Sequence, residues 1–144
     1  MPSLTGLALT LLSSSPAQAQ STPTLRTDGI YRSEVQTNDD NVRYISILRF
    51  AATGAVYFSH VTMPATQEKV CTWFQAGMEQ PHWGKATGYD LKGAQLRFQT
   101  RSPQSVTAFE GAVDAQVLRM QLVVPTRQNL PYSLGFKHES GSRC

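Results

Sequence analysis

Apolar and polar side chains alternate residue by residue along most of the chain after Gly29, and no other feature constrains the fold as strongly. In the segment 94–100, the even positions up to 98 carry Ala, Leu and Phe, while the odd positions carry Gln, Arg and Gln. Successive side chains of a strand point to opposite faces, so a period of two predicts strands with one buried face. The pattern argues against a mainly helical fold.

Eight segments of this kind are predicted as strands. They cover residues 29–34, 42–50, 55–61, 85–91, 94–100, 105–113, 117–124 and 132–136. Most connections are short, which favours antiparallel neighbours, because parallel pairs need a crossover of a dozen residues or more. Eight antiparallel strands in sequence leave two unpaired edges unless the sheet closes. We therefore predict an all-β fold, an eight-stranded antiparallel up-and-down meander closing into a small barrel, with a two-sheet sandwich as the alternative.

One segment between the third and fourth predicted strands breaks the alternation. Val70, Trp73 and Phe74 stand at i, i+3 and i+4, which predicts one apolar face of a short helix near residues 66–76. Thr66 can cap the start of this helix. A helix this short is not stable alone in water, so we expect Trp73 and Phe74 to insert into an open end of the sheet.

The N-terminus has the features of a secretory leader. The first nineteen residues carry no charge, an apolar stretch covers residues 4–12, and Ala17-Gln18-Ala19 fits the small-residue cleavage pattern. We therefore expect a secreted or periplasmic protein. The predicted organisation is a signal peptide at 1–19, a linker at 20–28, the β-barrel domain at 29–138 and a polar tail at 139–144.

Export also bears on Cys71 and Cys144, the two cysteines of the chain. An oxidising compartment permits a disulfide between them. Such a bridge would close a loop of about 73 residues and contribute on the order of 4 kcal/mol of stability in the chain-entropy model. Because chain ends fray, two separate thiols remain the alternative at this point.

Gly29-Ile30-Tyr31 opens the first predicted strand, where lipocalins carry Gly-x-Trp. With its size and strand order over about residues 29–136, the chain resembles the lipocalin-like (calycin) group of small bacterial β-barrels. It departs from that pattern in having Tyr in place of Trp, and no Arg at the end of its last predicted strand. The resemblance implies a barrel and ligand binding in an exported protein, and it identifies no ligand.

Aromatic residues are the main candidates for a binding site. Inside a barrel they can line a cavity for a small hydrophobic molecule, since such sites are mostly apolar with a few polar groups. They can equally fill the core, because protein interiors contain few voids. The candidate ligand-binding residues are Tyr31, Tyr44, Phe50, Trp73, Phe74, Trp83, Phe98 and Phe136.

Catalytic and metal-binding motifs are missing from the sequence. It contains no H-E-x-x-H, no G-x-S-x-G, no Walker-type loop and no G-x-G-x-x-G after a strand. His60, Cys71 and His82 are spaced eleven residues apart, which matches no compact zinc-ligand motif. We therefore predict a protein that is not an enzyme and holds no metal or cofactor.

The charge pattern bears on partners. The formal charge is +3 without a Lys/Arg cluster, and no apolar run reaches the length of a membrane-spanning helix. We expect no nucleic-acid partner and no integral membrane segment once the signal peptide is removed. Arg43 and Arg49 share the outer face of the second strand with Ile45 and Ile47. This face is either an exposed apolar strip that contacts a partner or an ordinary surface on which one strand is partly covered.

Two functions from different classes follow from these observations. The first is an exported, non-enzymatic binding protein that holds a small hydrophobic ligand in its β-barrel. The second is a protein-interaction module, such as an inhibitor or accessory subunit, that acts through its outer wall and has a filled core. The size of any interior void separates the two, because a binding site for a small molecule occupies at least about 300 Å³.

Overall fold

The structure, a computed structural model, describes residues 24–75, 84–124 and 131–141. Its elements are β1 (Gly29–Ser33), β2 (Gln36–Thr37), β3 (Arg43–Phe50), β4 (Val56–Thr62), α1 (Gln67–Gln75), β5 (Gly84–Ala86), β6 (Asp90–Lys92), β7 (Gln95–Arg101), β8 (Val106–Asp114), β9 (Val117–Val123) and β10 (Tyr132–Ser140). The predicted signal peptide at 1–19 lies outside the described residues.

The sheet closes on itself because β1 pairs with two strands. It pairs antiparallel with β10 and with β3, and the order runs from β3 through β4, β5, β7, β8 and β9 back to β10. At this join Tyr31 lies opposite His138 on one side and opposite Leu48 on the other. The eight strands form a closed antiparallel barrel, which confirms the predicted fold class and excludes the sandwich.

The two remaining strands, β2 and β6, continue β1 and β5 after a shift in register. Arg32 and Gln36 are four residues apart, whereas their partners Ile47 and Tyr44 on β3 are three apart. The extra residue on the β1–β2 side has the effect of a β-bulge, which bends a strand. The same one-residue shift separates β5 from β6 along β7. The single strand predicted over 85–91 is therefore wrong, because the shift divides it.

The last strand is longer than the sequence pattern indicates. We predicted that it ends at Phe136, but β10 continues to Ser140 because β1 pairs with it along its final five residues. Residues 139 and 140 thus belong to the barrel and not to a polar tail. His138 of this extension is buried inside the barrel.

Large side chains fill the middle of the barrel. Tyr31, Phe50, Phe98 and Phe109 are buried, and their rings contact one another edge to face or stacked, with centroids 4.5–5.7 Å apart. Leu96, Leu118, Met120, Leu122 and Phe136 complete the same cluster with other inward residues. The centre of the barrel is therefore packed core, as expected for side chains in a barrel of eight strands.

A second apolar cluster lies on the outside of the barrel. Ile45 and Ile47 on β3 alternate with the inward residues, and both are 0% exposed. They pack with Tyr57 and with Val70 of α1, so the helix covers this part of the wall. The structure therefore agrees with the alternative of a partly covered strand and not with an exposed Ile45/Ile47 strip.

The same contact places Val70 of α1 on the outer wall of the barrel. It does not test the predicted insertion of Trp73 and Phe74 into an open end. The helix itself, Gln67–Gln75, agrees with the predicted span near 66–76. The side chains of Trp73 and Phe74 lie outside the described part of the structure.

Candidate functional site

The two ends of the barrel carry different side chains. At the end where β1 begins, Leu25 packs against the core and the Arg26 backbone N–H donates a hydrogen bond to Tyr31 Oη at 2.9 Å. This segment covers that end. At the opposite end, side chains surround a pocket of about 750 Å³, which we call the mouth pocket. Its described lining residues are Gln36, Thr37, Asn38, Asp39, Tyr44, Phe58, His60, Gln104, Ser105, Thr107, Val124 and Tyr132.

The antiparallel order of the strands brings these residues together. The mouth is the end at which β3, β8 and β10 begin and β4, β7 and β9 end. The β2–β3 connection forms one wall, and its tip is held by Asn38, whose Oδ1 accepts hydrogen bonds from the backbone N–H groups of Asp40 and Val42. Asn41 adopts a left-handed conformation with φ of 60°, which asparagine tolerates better than most residues.

Aromatic rings form the floor of the mouth pocket. Phe58 is 8% exposed and contacts Phe109 of the core edge to face, with ring centroids 4.9 Å apart. The His60 ring lies against Phe58 at 4.9 Å and against Tyr44 at 5.0 Å. An apolar group that enters the pocket therefore meets ring faces and edges before it reaches the packed core.

A buried polar network lies beside this floor. Gln36 Nε2 donates to Ser46 Oγ at 2.9 Å and to Ser33 Oγ at 3.2 Å. Ser46 Oγ in turn lies 2.9 Å from His60 Nδ1. Ser46 is 0% exposed and Ser33 is 5% exposed, whereas His60 lines the pocket. The network connects the interior of the barrel to one side chain of the mouth.

The described side chains that line the mouth pocket include a negative charge and no Lys or Arg to balance it. Among its described lining residues there is one carboxylate, Asp39, and no Lys or Arg. The hydrogen-bonding groups are otherwise amides, hydroxyls and the His60 ring. Transferring an ionised group from water is costly unless it is paired, so this lining favours an uncharged ligand over an anion.

The covered end holds a separate titratable group. His138 Nε2 lies 3.3 Å from Asp28 Oδ1, and Asp28 pairs with Arg26 at 2.6 Å. Burial lowers the pKa of His138, the positive charge of Arg26 lowers it further, and Asp28 opposes both effects. The hydrogen bond from Arg26 lowers the pKa of the Asp28 carboxyl. This group lies away from the mouth pocket and serves the packing of that end.

The structure distributes the predicted site residues between the pocket and the core. Tyr44 lines the mouth pocket. Tyr31, Phe50, Phe98 and Phe136 lie in the packed core. Trp83 and the side chains of Trp73 and Phe74 lie outside the described residues.

Sequence reasoning missed Gln36, His60 and Thr107. The signal for two of them was present: His60 and Thr107 stand in the inward phase of their strands, two residues from Phe58 and Phe109. A polar residue in an inward position near a strand end indicates the lining of a barrel mouth.

No three His, Cys, Asp or Glu side chains among the described residues converge to hold a metal ion. No helix in the described ranges has the length and hydrophobicity needed to cross a bilayer. Cys71 is disulfide-bonded, and Cys144, the other cysteine of the sequence, lies outside the described part of the chain.

The class defined by these observations is a closed, eight-stranded antiparallel β-barrel with one covered end and one open, largely polar end. Comparison of the chain with protein-family models, curated proteins and solved structures found no match. The resemblance to lipocalin-like proteins therefore stays a sequence-based prediction.

Proposed function

We propose that this protein binds a small, uncharged molecule with an apolar part in the mouth pocket. The observation that carries the proposal is the pocket of about 750 Å³ with an aromatic floor and a polar rim. Small-molecule sites have this size. Phe58 and Tyr44 supply ring surface in a lining that is otherwise largely polar. We further propose that the protein acts in a secreted or periplasmic setting and does no chemistry on its ligand.

The packed core determines where the ligand binds. Tyr31, Phe50 and Phe136 leave little free space in the middle of the barrel, since each is at most 1% exposed and packed in one cluster. The ligand therefore occupies the mouth and does not pass through the barrel. Its apolar part contacts Phe58, and its polar part reaches Gln36, His60 or Thr107 in the lining of the pocket.

A pair of fluorescent probes with the same skeleton tests the site and its charge preference. N-phenyl-1-naphthylamine is uncharged, and 1-anilinonaphthalene-8-sulfonate carries an added sulfonate. We expect saturable binding of the neutral probe at one site and binding of the sulfonate that is at least about tenfold weaker, because the described lining offers no cation to replace its water. Failure of the neutral probe to bind contradicts the proposal.

A blocking variant shows where the probe sits. Ser105→Trp places a large ring at the rim of the pocket, and Ser133→Trp places the same ring on the exposed outer wall of β10. We expect Ser105→Trp to weaken binding of the neutral probe by about tenfold or more and Ser133→Trp to leave it unchanged. Equal binding by the two variants would place the probe elsewhere.

The alternative function is a protein-interaction module acting through the outer wall, and the packed middle of the barrel agrees with its filled core. Its contact surface, however, was expected to be the strip of Ile45 and Ile47 with the basic residues of the outer face. Ile45 and Ile47 are covered by α1. With the strip covered, we do not propose this function.

A further inference from the structure

In the polar network beside the mouth pocket, two backbone contacts of Ser33 determine which group donates and which accepts in each hydrogen bond. Ser33 Oγ accepts a hydrogen bond from the Ser46 backbone N–H at 2.8 Å and donates its proton to the Glu34 carbonyl oxygen at 2.8 Å. A hydroxyl has a single proton to donate. Because that proton is used on a backbone carbonyl, Ser33 can only accept from any further partner.

This constraint fixes the orientation of the Gln36 side chain. The Gln36 group that lies 3.2 Å from Ser33 Oγ must be a donor, so it is the NH₂ group and not the carbonyl oxygen. The same NH₂ group lies 2.9 Å from Ser46 Oγ and donates its second proton there. The Gln36 carbonyl oxygen then accepts from Tyr44 Oη at 3.4 Å, which agrees with this orientation.

The direction of the Ser46 hydroxyl follows. Ser46 Oγ accepts from Gln36, and at 0% exposure it has no access to bulk water. Its own proton therefore goes to His60 Nδ1, which lies 2.9 Å away. A ring nitrogen that accepts carries no proton, so the neutral ring has its proton on Nε2.

We propose that Ser46 is a positioning residue that, with Gln36 and Ser33, holds His60 in the mouth pocket as the neutral tautomer protonated at Nε2. A ligand that contacts Nε2 must then present an acceptor, such as a carbonyl, ether or hydroxyl oxygen. This consequence for ligand choice rests on the proposed function, whereas the tautomer does not.

Acid disrupts the same arrangement. A second proton on His60 occupies Nδ1 and places two donors, Nδ1–H and the Ser46 hydroxyl, face to face. The described titratable side chains that line the pocket together with His60 are Tyr44 on β3, Asp39 in the β2–β3 connection and Tyr132 on β10. The Ser46 hydroxyl contacts Gln36 and His60, and among the described residues it makes no hydrogen bond with these three side chains. The Ser46–His60 contact is therefore expected to break when the ring is protonated.

Long-range proton–nitrogen NMR of the imidazole rings tests the tautomer without any ligand. The His60 signals are assigned by their loss in His60→Gln and recorded at neutral pH. We expect the wild-type ring to be protonated at Nε2, and Ser46→Ala to show a shift towards a mixture of tautomers. Ser59→Ala, one residue before His60 on the outer side of β4, is the matched control and should match wild type. A wild-type ring protonated at Nδ1 would overturn the proposal, and so would an unchanged tautomer in folded Ser46→Ala.

A second pair of probes tests the consequence for ligand choice. 1-Acetylnaphthalene and 1-ethylnaphthalene have similar shapes, but only the first carries an acceptor. We expect the acetyl compound to displace N-phenyl-1-naphthylamine about tenfold more effectively from wild type, and this ratio to fall towards one in Ser46→Ala. Equal displacement by both compounds from wild type contradicts the acceptor requirement. If no naphthalene probe binds, the proposed function fails while the NMR result on the tautomer stands.

Discussion

His138 is the buried side chain through which pH acts on the stability of the covered end. Its ring packs on Tyr31 with centroids 5.1 Å apart, and its Nε2 lies 3.3 Å from Asp28 Oδ1. Burial lowers its pKa below the ordinary value of 6.5, with the charge of Arg26 acting in the same direction. The folded protein therefore binds fewer protons at this site than the unfolded chain does at and somewhat below pH 6.5.

This difference predicts the sign of a pH effect. Because the unfolded chain takes up the proton more readily, the free energy of unfolding falls as pH decreases through 6.5 towards the folded pKa, by at most about 1.4 kcal/mol per pH unit for one group. Urea unfolding between pH 7.5 and pH 5 measures the slope, and His138→Gln should reduce it. A slope that is the same in wild type and in His138→Gln would contradict this assignment.

At the level of single residues, sequence reasoning recovered the core better than the site. Phe50, Phe98 and Phe136 stand in the inward phase, and the structure buries them. The alternation does not say how far along the barrel axis an inward residue lies, because that depends on the stagger between strands. The sequence therefore could not show that Tyr44 lies at the mouth of the barrel and Tyr31 in its core. The direction of the Ser33–Gln36–Ser46 network was equally out of reach, since it depends on contacts across the β1–β2 shift.

Among the elements, α1 has a role that its sequence pattern did not locate. It lies on the outer wall, where Val70 packs with Ile45 and Ile47, and its Cys71 is disulfide-bonded. The pairing of Cys71 with Cys144 stays a prediction. Because Ile45 and Ile47 pack with Val70, a second and smaller core lies between the outer face of β3 and α1. Leu48 and Phe50 on the inward face of β3 and Ile45 and Ile47 on its outward face are all buried, which explains why the interpretation of Ile45 and Ile47 as an exposed strip failed.

Shortening a buried apolar side chain on the outer face of β3 tests whether α1 covers that face. Ile47→Ala removes three methyl(ene) carbons from a fully buried position, so we expect it to lower the free energy of unfolding by about 2–5 kcal/mol. Val42→Ala, directly before the same strand and 41% exposed, should change it by less than about 0.5 kcal/mol. Urea unfolding of both variants gives the comparison. Equal and small effects would mean that the helix does not cover the wall in solution.

The strands themselves were largely predictable, because their alternation is unbroken over most of their length. The shifts that separate β1 from β2 and β5 from β6 were not, since a bulge changes register without an unambiguous residue signal. The true end of β10 was also missed. Its residues 137–140 contain no large apolar side chain, and their strand conformation comes from pairing with β1.

On the scale of the whole molecule, closure makes the two ends of the barrel chemically different. The chain before β1 covers one end with Leu25 and Arg26, and the large side chains fill the middle. The opposite end carries a pocket whose described lining has both ring surfaces and hydrogen-bonding groups. A filled core and a ligand site are thus compatible in one small barrel, provided that the ligand binds at the mouth.

Backbone amide NMR during a titration with N-phenyl-1-naphthylamine tests this arrangement most directly. The account predicts that the largest chemical-shift changes fall on the amides of Gln36, His60 and Thr107, with small changes at Leu25, Asp28 and His138 at the covered end. Changes concentrated at the covered end, or spread over the outer wall of β8 to β10, would contradict it.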